Sequence, residues 1–417
     1  MSSNDAFFTS PKPAAVLKHA VFGAYANAFF SMVGSSHKGP MWLIDGYSGP
    51  GEYEADGSGA SVKGSPIVAL ELAQQQRTFS SPRDVHCAFI EAKKSYFDAL
   101  KQNVQPFMDR GLHVEIYYGS VAKHLQTVWA HVGENPVLTL IDPFGISAVS
   151  KMQMTDTLLA KNRSASSEIL VNINVEAISR HGGYLHWGAN GTPELKPTVT
   201  RAEGIELSDT FFGGKWWRQG FLVARDRIGD ANHAAMEVVN QYRKKIEVET
   251  GASSLVVPIR RSPTGPMLFH FTLFYRHPAA AYKFADAAAK GTATWRKAFR
   301  QKDLEEALAR DEERPGLFGR VDILEYSEKD AKAREDRLRA DAVAHIEGNM
   351  RRLITPFTSG TGFQIGANIE ELLGSYMSLA GESAIQKAWD NLAKASLVRA
   401  RDKSKARQMW KLWIVKQ

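Results

Sequence analysis

Between residues 41 and 175, apolar runs of strand length alternate with stretches of helical spacing. The runs cover 42–44, 85–90, 113–118, 137–141 and 168–175, and helices are expected near 66–73, 94–108, 121–132 and 152–161. That alternation predicts βαβ units and a parallel sheet. Four of the five runs stop at an acid or a glycine: Asp45, Glu91, Gly119 and Asp142. In doubly wound sheets the ligand lies beyond the carboxyl ends of the strands. Four strand ends are therefore expected to face one crevice.

The first of these ends is the most specific. Asp45 opens the turn Gly46-Tyr47-Ser48-Gly49-Pro50-Gly51. Glycines there let a backbone approach a ligand closely and adopt positive φ. The turn is not the GxGxxG of a dinucleotide fold, and Glu91 follows Asp45 by 46 positions where about 20 would be expected. No GxxxxGK[ST] phosphate loop is present. An acid at the first loop repels a pyrophosphate and suits a zwitterion such as S-adenosylmethionine. Asp45 would take the ammonium or a neighbouring water, and Glu91 the ribose hydroxyls. Backbone amides where the next helix starts would take the carboxylate. Ser65 fits the N-cap of that helix and Pro66 its first turn. Gly46, Tyr47, Gly49, Gly51, Gly119 and Ser120 are expected to line the same crevice.

Around this centre the chain divides as follows. A helix is expected over 13–30, with Val16, Ala20, Val21, Tyr25 and Phe29 on one face. Residues 178–218 read as an insertion mixing aromatics (Tyr184, Trp187, Phe211, Phe212, Trp216, Trp217) with basic residues (Arg180, Lys196, Arg201, Lys215, Arg218). Such a mixture suits stacked bases, and equally a small packed subdomain. Runs at 254–260 and 267–277 are joined too briefly for a parallel crossover, so they form an antiparallel pair. The domains are 1–300, a charged helical connector 301–345, and a basic unit 346–417 laid out as helix, turn, helix and hairpin, like a winged helix.

The net charge of +7 and pI near 9.2 suggest a polyanionic partner. From residue 387 to the end there are nine Lys or Arg against two Asp. Lys387, Arg399, Arg401, Lys403, Lys405 and Arg407 are the candidate nucleic-acid contacts. One cysteine, Cys87, excludes an internal disulfide and any multi-cysteine metal site. No run approaches the ~20 apolar residues of a membrane helix, so a cytoplasmic protein is expected.

The residues Lys18-His19, Asp45 with Gly49-Pro50-Gly51 and Tyr53, Gly64-Ser65-Pro66, Glu91 and Asp142-Pro143-Phe144-Gly145 together resemble the three-Cys-motif partner family (TcmP). That family is similar to Rossmann-like, S-adenosylmethionine-dependent adenine-N6 rRNA methyltransferases. The resemblance spans roughly residues 14–280. It implies an α/β class I methyltransferase sheet, mostly parallel with an antiparallel last strand, and a winged-helix-like tail. It implies that Lys18, His19, Ser65, Glu91 and Asp142 contact S-adenosylmethionine. It also implies that Asp142, Pro143, Phe144 and Lys18 serve methyl transfer. Its members are named for a neighbouring three-cysteine, radical-S-adenosylmethionine-like protein, in cassettes associated with bacterial defence or mobile elements.

One departure matters. Amino-directed methyltransferases carry Asp/Asn-Pro-Pro-aromatic at the fourth strand, where acid and carbonyl orient the amine and the ring stacks on the base. Here the second proline is missing and Phe144 comes one place early. Two readings follow. One is a methyltransferase acting on an exocyclic amine of nucleic acid. The other is a methyltransferase-like protein that binds cofactor or nucleotide and serves a partner. A magnesium nuclease built on Asp45, Glu91, Asp142 and Lys18 is a weaker third. There is no HExxH or GxSxG motif.

Overall fold

A computed structural model describes residues 13–53, 62–143, 145–146, 149–160, 166–189, 199–260, 262, 265–313 and 320–417. The chain forms two compact units. The first holds residues 25–277; the second holds Pro13–Ala24 together with Pro278–Gln417. The first helix, α1 (Pro13–Val33), thus contributes its front to one unit and its rear to the other.

The first unit is built on a seven-stranded sheet. Its strands are β1 (Met41–Asp45), β2 (Val85–Glu91), β3 (Val114–Tyr118), β4 (Val137–Ile141), β5 (Ser167–Asn174), β6 (Ser253–Arg260) and β7 (Met267–Tyr275). Their spatial order is β3-β2-β1-β4-β5-β7-β6. β1 pairs in parallel with β2 and β4, and the β2–β3 and β4–β5 pairs are parallel too. Only β7 runs the other way, between β5 and β6. The short joint after β6 enforces this, as expected from its length. Pro258, which cannot donate to a ladder, is tolerated because β6 is an edge strand.

The central strands are buried on both faces, which is why β1 and β4 read as unbroken apolar runs. On one face Trp42, Ile44, Ile90, Ile141 and Val171 join a single core. That core is closed by α4 (Val121–Val132), α5 (Val175–Ala189), α6 (Val199–Phe212), α7 (Trp216–Ile228) and α8 (Ala231–Thr250). The aromatic stretch expected as an insertion is therefore a helical layer. Phe211, Phe212 and Trp217 are core residues. Burying each gains about 1.5–3 kcal/mol, which decides against surface stacking for these three. The opposite face carries α2 (Ser65–Arg77), which buries Ile67, Ala69 and Leu70, and α3 (Lys94–Asp109), which buries Leu100 and Val104. There Glu168 of β5 accepts from the buried Tyr25 hydroxyl at the rear of α1.

Two expected helices differ. The stretch near 152–161 holds a single turn, Lys151–Gln153, running into a wide turn at Met154–Leu158. The described part of the charged stretch lies in α9 (Pro278–Glu313) and α10 (Arg320–Ile354), and residue 300 falls inside α9. These helices pair through Glu335, which accepts from Arg296 at 3.0 and 3.1 Å and from Arg300 at 2.9 Å. Mixed-sign charge here marks a helix pair, not a linker. In the same unit Val21 of α1 sits so close to Gly291 of α9 that an added Cβ there would come within 2.5 Å of it.

The second unit continues with β8 (Gly362–Gln364), α11 (Ile369–Leu373), α12 (Glu382–Lys394) and β9 (Trp413–Val415). β8 and β9 are antiparallel, and Val398 bridges Lys416. Among the described residues no helix is long and apolar enough to cross a membrane.

Candidate functional site

Asp45, at the tip of β1, is fully buried, and each of its carboxylate oxygens is hydrogen-bonded. Its Oδ1 accepts from the Tyr47 amide at 3.0 Å and its Oδ2 from the Ser65 hydroxyl at 2.6 Å. Ser65 was expected to cap α2. Instead Gly64 is the N-cap and Ser65 the first helical residue, its hydroxyl drawn to Asp45. A buried carboxylate makes the stronger, charge-assisted bond. Asp45 thus fastens α2 to the turn. Its carboxylate has no exposed surface.

The turn after Asp45 is tied to β2. Ser48 donates from its hydroxyl to the Asp45 carbonyl at 3.0 Å, and that hydroxyl accepts from the Ile90 amide at 3.1 Å. Gly49 and Gly51 have φ of +64° and +89°, which only glycine adopts without strain. The amide of Gly49 donates to Glu91 Oε2 at 2.8 Å, and that of Lys93 to Oε1 at 2.6 Å. Glu91, half-buried at the tip of β2, thereby holds the turn open side up. Its carbonyl accepts from Gly119 at 2.9 Å, at the tip of β3. Ser120 follows on the exposed approach to α4, and Gly46 donates to the Leu140 carbonyl of β4 at 2.9 Å.

The registers place Asp45 level with Phe89 and Leu140, and Leu140 level with Leu170. Counting two residues on along β2, β4 and β5 brings Glu91, Asp142 and Asn172 to the same face. Asp142 accepts from Asn172 Nδ2 at 2.7 Å. The electrostatics agree with this grouping. Burial pushes Asp45 up to about 7, the Ser65 and Tyr47 donors pull it back, and the charges of Asp142 and Glu91 add to the rise. The Tyr53 hydroxyl is held above its ordinary range by burial and then by Asp45, Asp142 and Glu91. Tyr53 entered the sequence reading only as part of a motif, and Asn172 not at all.

Other expected residues are placed less directly. Pro143 is buried and Gly145 exposed, while Phe144 lies outside the described residues. Lys18, buried, and His19 lie on the front of α1, which belongs to the second unit. Among the described residues, no three or more His, Cys, Asp or Glu are gathered as a metal ion would need. The magnesium-nuclease reading therefore has no support in the geometry.

On α5, His181, Tyr184 and Trp187 form a ladder with ring centroids 6.4 and 6.1 Å apart. Arg201 lies over Tyr184 at 4.9 Å, and Trp187 is 44% exposed. In the second unit Lys387, Arg399, Lys403 and Lys405 are exposed. Arg401 is not available as they are: it pairs bidentately with Asp390 of α12 at 2.8 and 3.0 Å. It secures the segment after α12. The side chain of Arg407 lies outside the described residues.

No family model matches the chain, and no curated protein does. Among solved structures, PKMT2 from Rickettsia typhi is similar at a TM-score of 0.28 and 10% identity, over 61% of this chain and 53% of that one. SCL7 in Oryza sativa is similar at a TM-score of 0.28 and 8% identity, over 63% of this chain and 83% of that one. The chain spans about half the length of the first. Neither likeness adds to what the strand order says by itself. A β3-β2-β1-β4-β5-β7-β6 sheet with only β7 reversed is a Rossmann-like arrangement, like that of class I methyltransferases.

Proposed function

We propose that this chain is an S-adenosylmethionine-dependent methyltransferase acting on an exocyclic amine of a nucleic-acid base. The observation that carries this reading is the row of acids Glu91, Asp45 and Asp142 at the tips of three adjacent strands, threaded by a positive-φ glycine turn. Each Glu91 oxygen accepts a hydrogen bond from one backbone amide and, as a carboxylate, has room for more. It would hold the ribose hydroxyls, while Asp45 and Ser65 keep the turn in shape. When bound, S-adenosylmethionine supplies an electrophilic methyl on a sulfonium. Asp142 and the Pro143 carbonyl would orient the amine. Tyr184 with Arg201, and the exposed Trp187, offer a platform for a neighbouring base.

The second unit supports a polymer substrate. The rear of α10, β8, α11, α12, the Val398 bridge and β9 follow the order of a winged helix. Lys387 on α12 and Arg399, Lys403 and Lys405 on the wing would meet phosphates. A second reading is a partner protein that binds the cofactor without transferring methyl, serving a three-cysteine radical-S-adenosylmethionine-like protein. The run Asp142-Pro143-Phe144-Gly145 favours it.

Titration calorimetry with S-adenosylmethionine should show binding under both readings, weakened in Glu91→Ala. Labelled methyl transfer to total RNA or DNA, lost in Asp142→Ala, belongs to the first alone. Binding without any labelled polymer selects the second.

A further inference from the structure

In the second unit β9 is flanked on both sides. β8 pairs with it antiparallel, Gln364 opposite Trp413 and Phe363 opposite Ile414. On its other side the chain at 397–399 runs alongside: Val398 bridges Lys416, and the Arg399 amide donates to the Val415 carbonyl at 2.8 Å. One face of this ribbon is packed. Phe363, Ile414 and Val398 are buried there, and the Lys416 ammonium donates to the Thr355 carbonyl at 3.0 Å. Side chains alternate along a strand, so Trp413, Leu397 and Arg399 stand on the opposite face. Trp413 is 56% exposed, and Arg399 is exposed as well. By the register Arg399 lies opposite Val415 and one diagonal from Trp413, a spacing that long side chains bridge. An indole on this face does nothing to close the ribbon, whose packed side is the other one.

We propose that Trp413 is a stacking platform for an unpaired base of a single-stranded nucleic acid, with Arg399 on the phosphate beside it. This rests on the nucleic-acid part of the reading above and deepens it. Charge names the class of partner: residues 394–417 carry eight Lys or Arg against one Asp, and Lys403, Lys405 and Lys411 are exposed together with Arg399. The extent of the apolar surface narrows it further. Among the described residues of this ribbon, the large apolar side chains that are exposed are the indole and Leu397, itself 38% exposed. A protein partner or a lipid surface calls for a broader patch, whereas one ring and a nearby cation are what a single base takes up. In a duplex each base face is covered by its neighbours, so the ring selects a strand whose bases are free to turn out.

The test titrates the full chain into short labelled ligands and reads fluorescence anisotropy. The ligands are a mixed-sequence single strand, its duplex, and an abasic strand of the same length. Trp413→Ala should bind the single strand roughly fivefold to a hundredfold more weakly than the wild type, the effect of losing one stacked base. It should bind the duplex and the abasic strand as the wild type does. It removes no charge, so the salt slope should hold, while Arg399→Ala should lower that slope by about 1. Trp413→Phe should restore most of the lost affinity. If Trp413→Ala does not fold, Trp413→Thr, suited to a strand, takes its place. Single-strand affinity that ignores Trp413, or an equal loss on the abasic strand, would overturn the proposal and leave phosphate binding by this unit standing. So would binding to phosphatidylglycerol vesicles that needs Trp413 while strand binding does not. A wild type that holds none of the three ligands would remove nucleic acid from the reading above, and this platform with it.

Discussion

Two carboxylic acids in the first unit are held against their ordinary behaviour, and both make predictions. Burial pushes Glu168 up to about 7, with the Tyr25 hydroxyl pulling the other way. Below its unfolded value both states carry the proton and nothing is lost. As pH rises from there towards 7, the unfolded chain ionises first, so stability falls. Glu168→Gln keeps an acceptor for Tyr25 and removes the ionisation. It should leave stability near pH 4 almost unchanged and raise it by roughly 1–3 kcal/mol at pH 8, read by urea unfolding. Ser65→Ala deprives the buried Asp45 of a donor. It should cost about 1–3 kcal/mol in the same measurement and weaken S-adenosylmethionine binding through the slackened turn. At this scale the sequence shows Asp45, Glu91, Ser65 and Asp142, because each stands at a strand or helix end where a polar residue is conspicuous. It hides Asn172, since one amide within an apolar strand gives no sign of what it faces. It also hides the partners that Asp45 and Arg401 take, Ser65 and Asp390, which come from elsewhere in the chain.

At the scale of elements, the segment after α12, the wing of the proposed reading, separates positioning from the proposed contact. Lys403→Ala and Lys405→Ala should each lower nucleic-acid affinity across sequences and reduce the log–log salt slope by about 1. Asp390→Ala leaves every wing cation in place but frees Arg401. It should loosen the wing, seen as faster amide exchange over residues 399–412, without the same loss of slope. Strands were readable because a run buried on both faces is apolar throughout, and the β6–β7 pair because its joint is short. The helices between β5 and β6 were not. Their aromatics face inward, and composition alone does not distinguish a ring in a core from a ring awaiting a base. Likewise α9 and α10 read as a connector because the sequence shows the pairs along each helix but not that Arg296 and Arg300 meet Glu335 across the two.

For the whole molecule, the division of α1 sets where the chain can be cut. A fragment of residues 25–277 should stay soluble and bind S-adenosylmethionine at least weakly. One of residues 1–277 should aggregate more, by size-exclusion chromatography, because Leu17 and Val21 retain apolar surface without the unit they belong to. A helix apolar on several sides announces burial, but not which domain takes which end, so the boundary was out of reach from the sequence. The same split has a cost in time. Roughly 250 residues separate Ala24 from Pro278, and ribosomes add about 5–20 residues per second. The leading turns of the first helix therefore wait on the order of 10–50 s for Gly291 and its neighbours to be made. Nascent chains stalled before that point should be nicked by protease near their start, and released full-length chains should not.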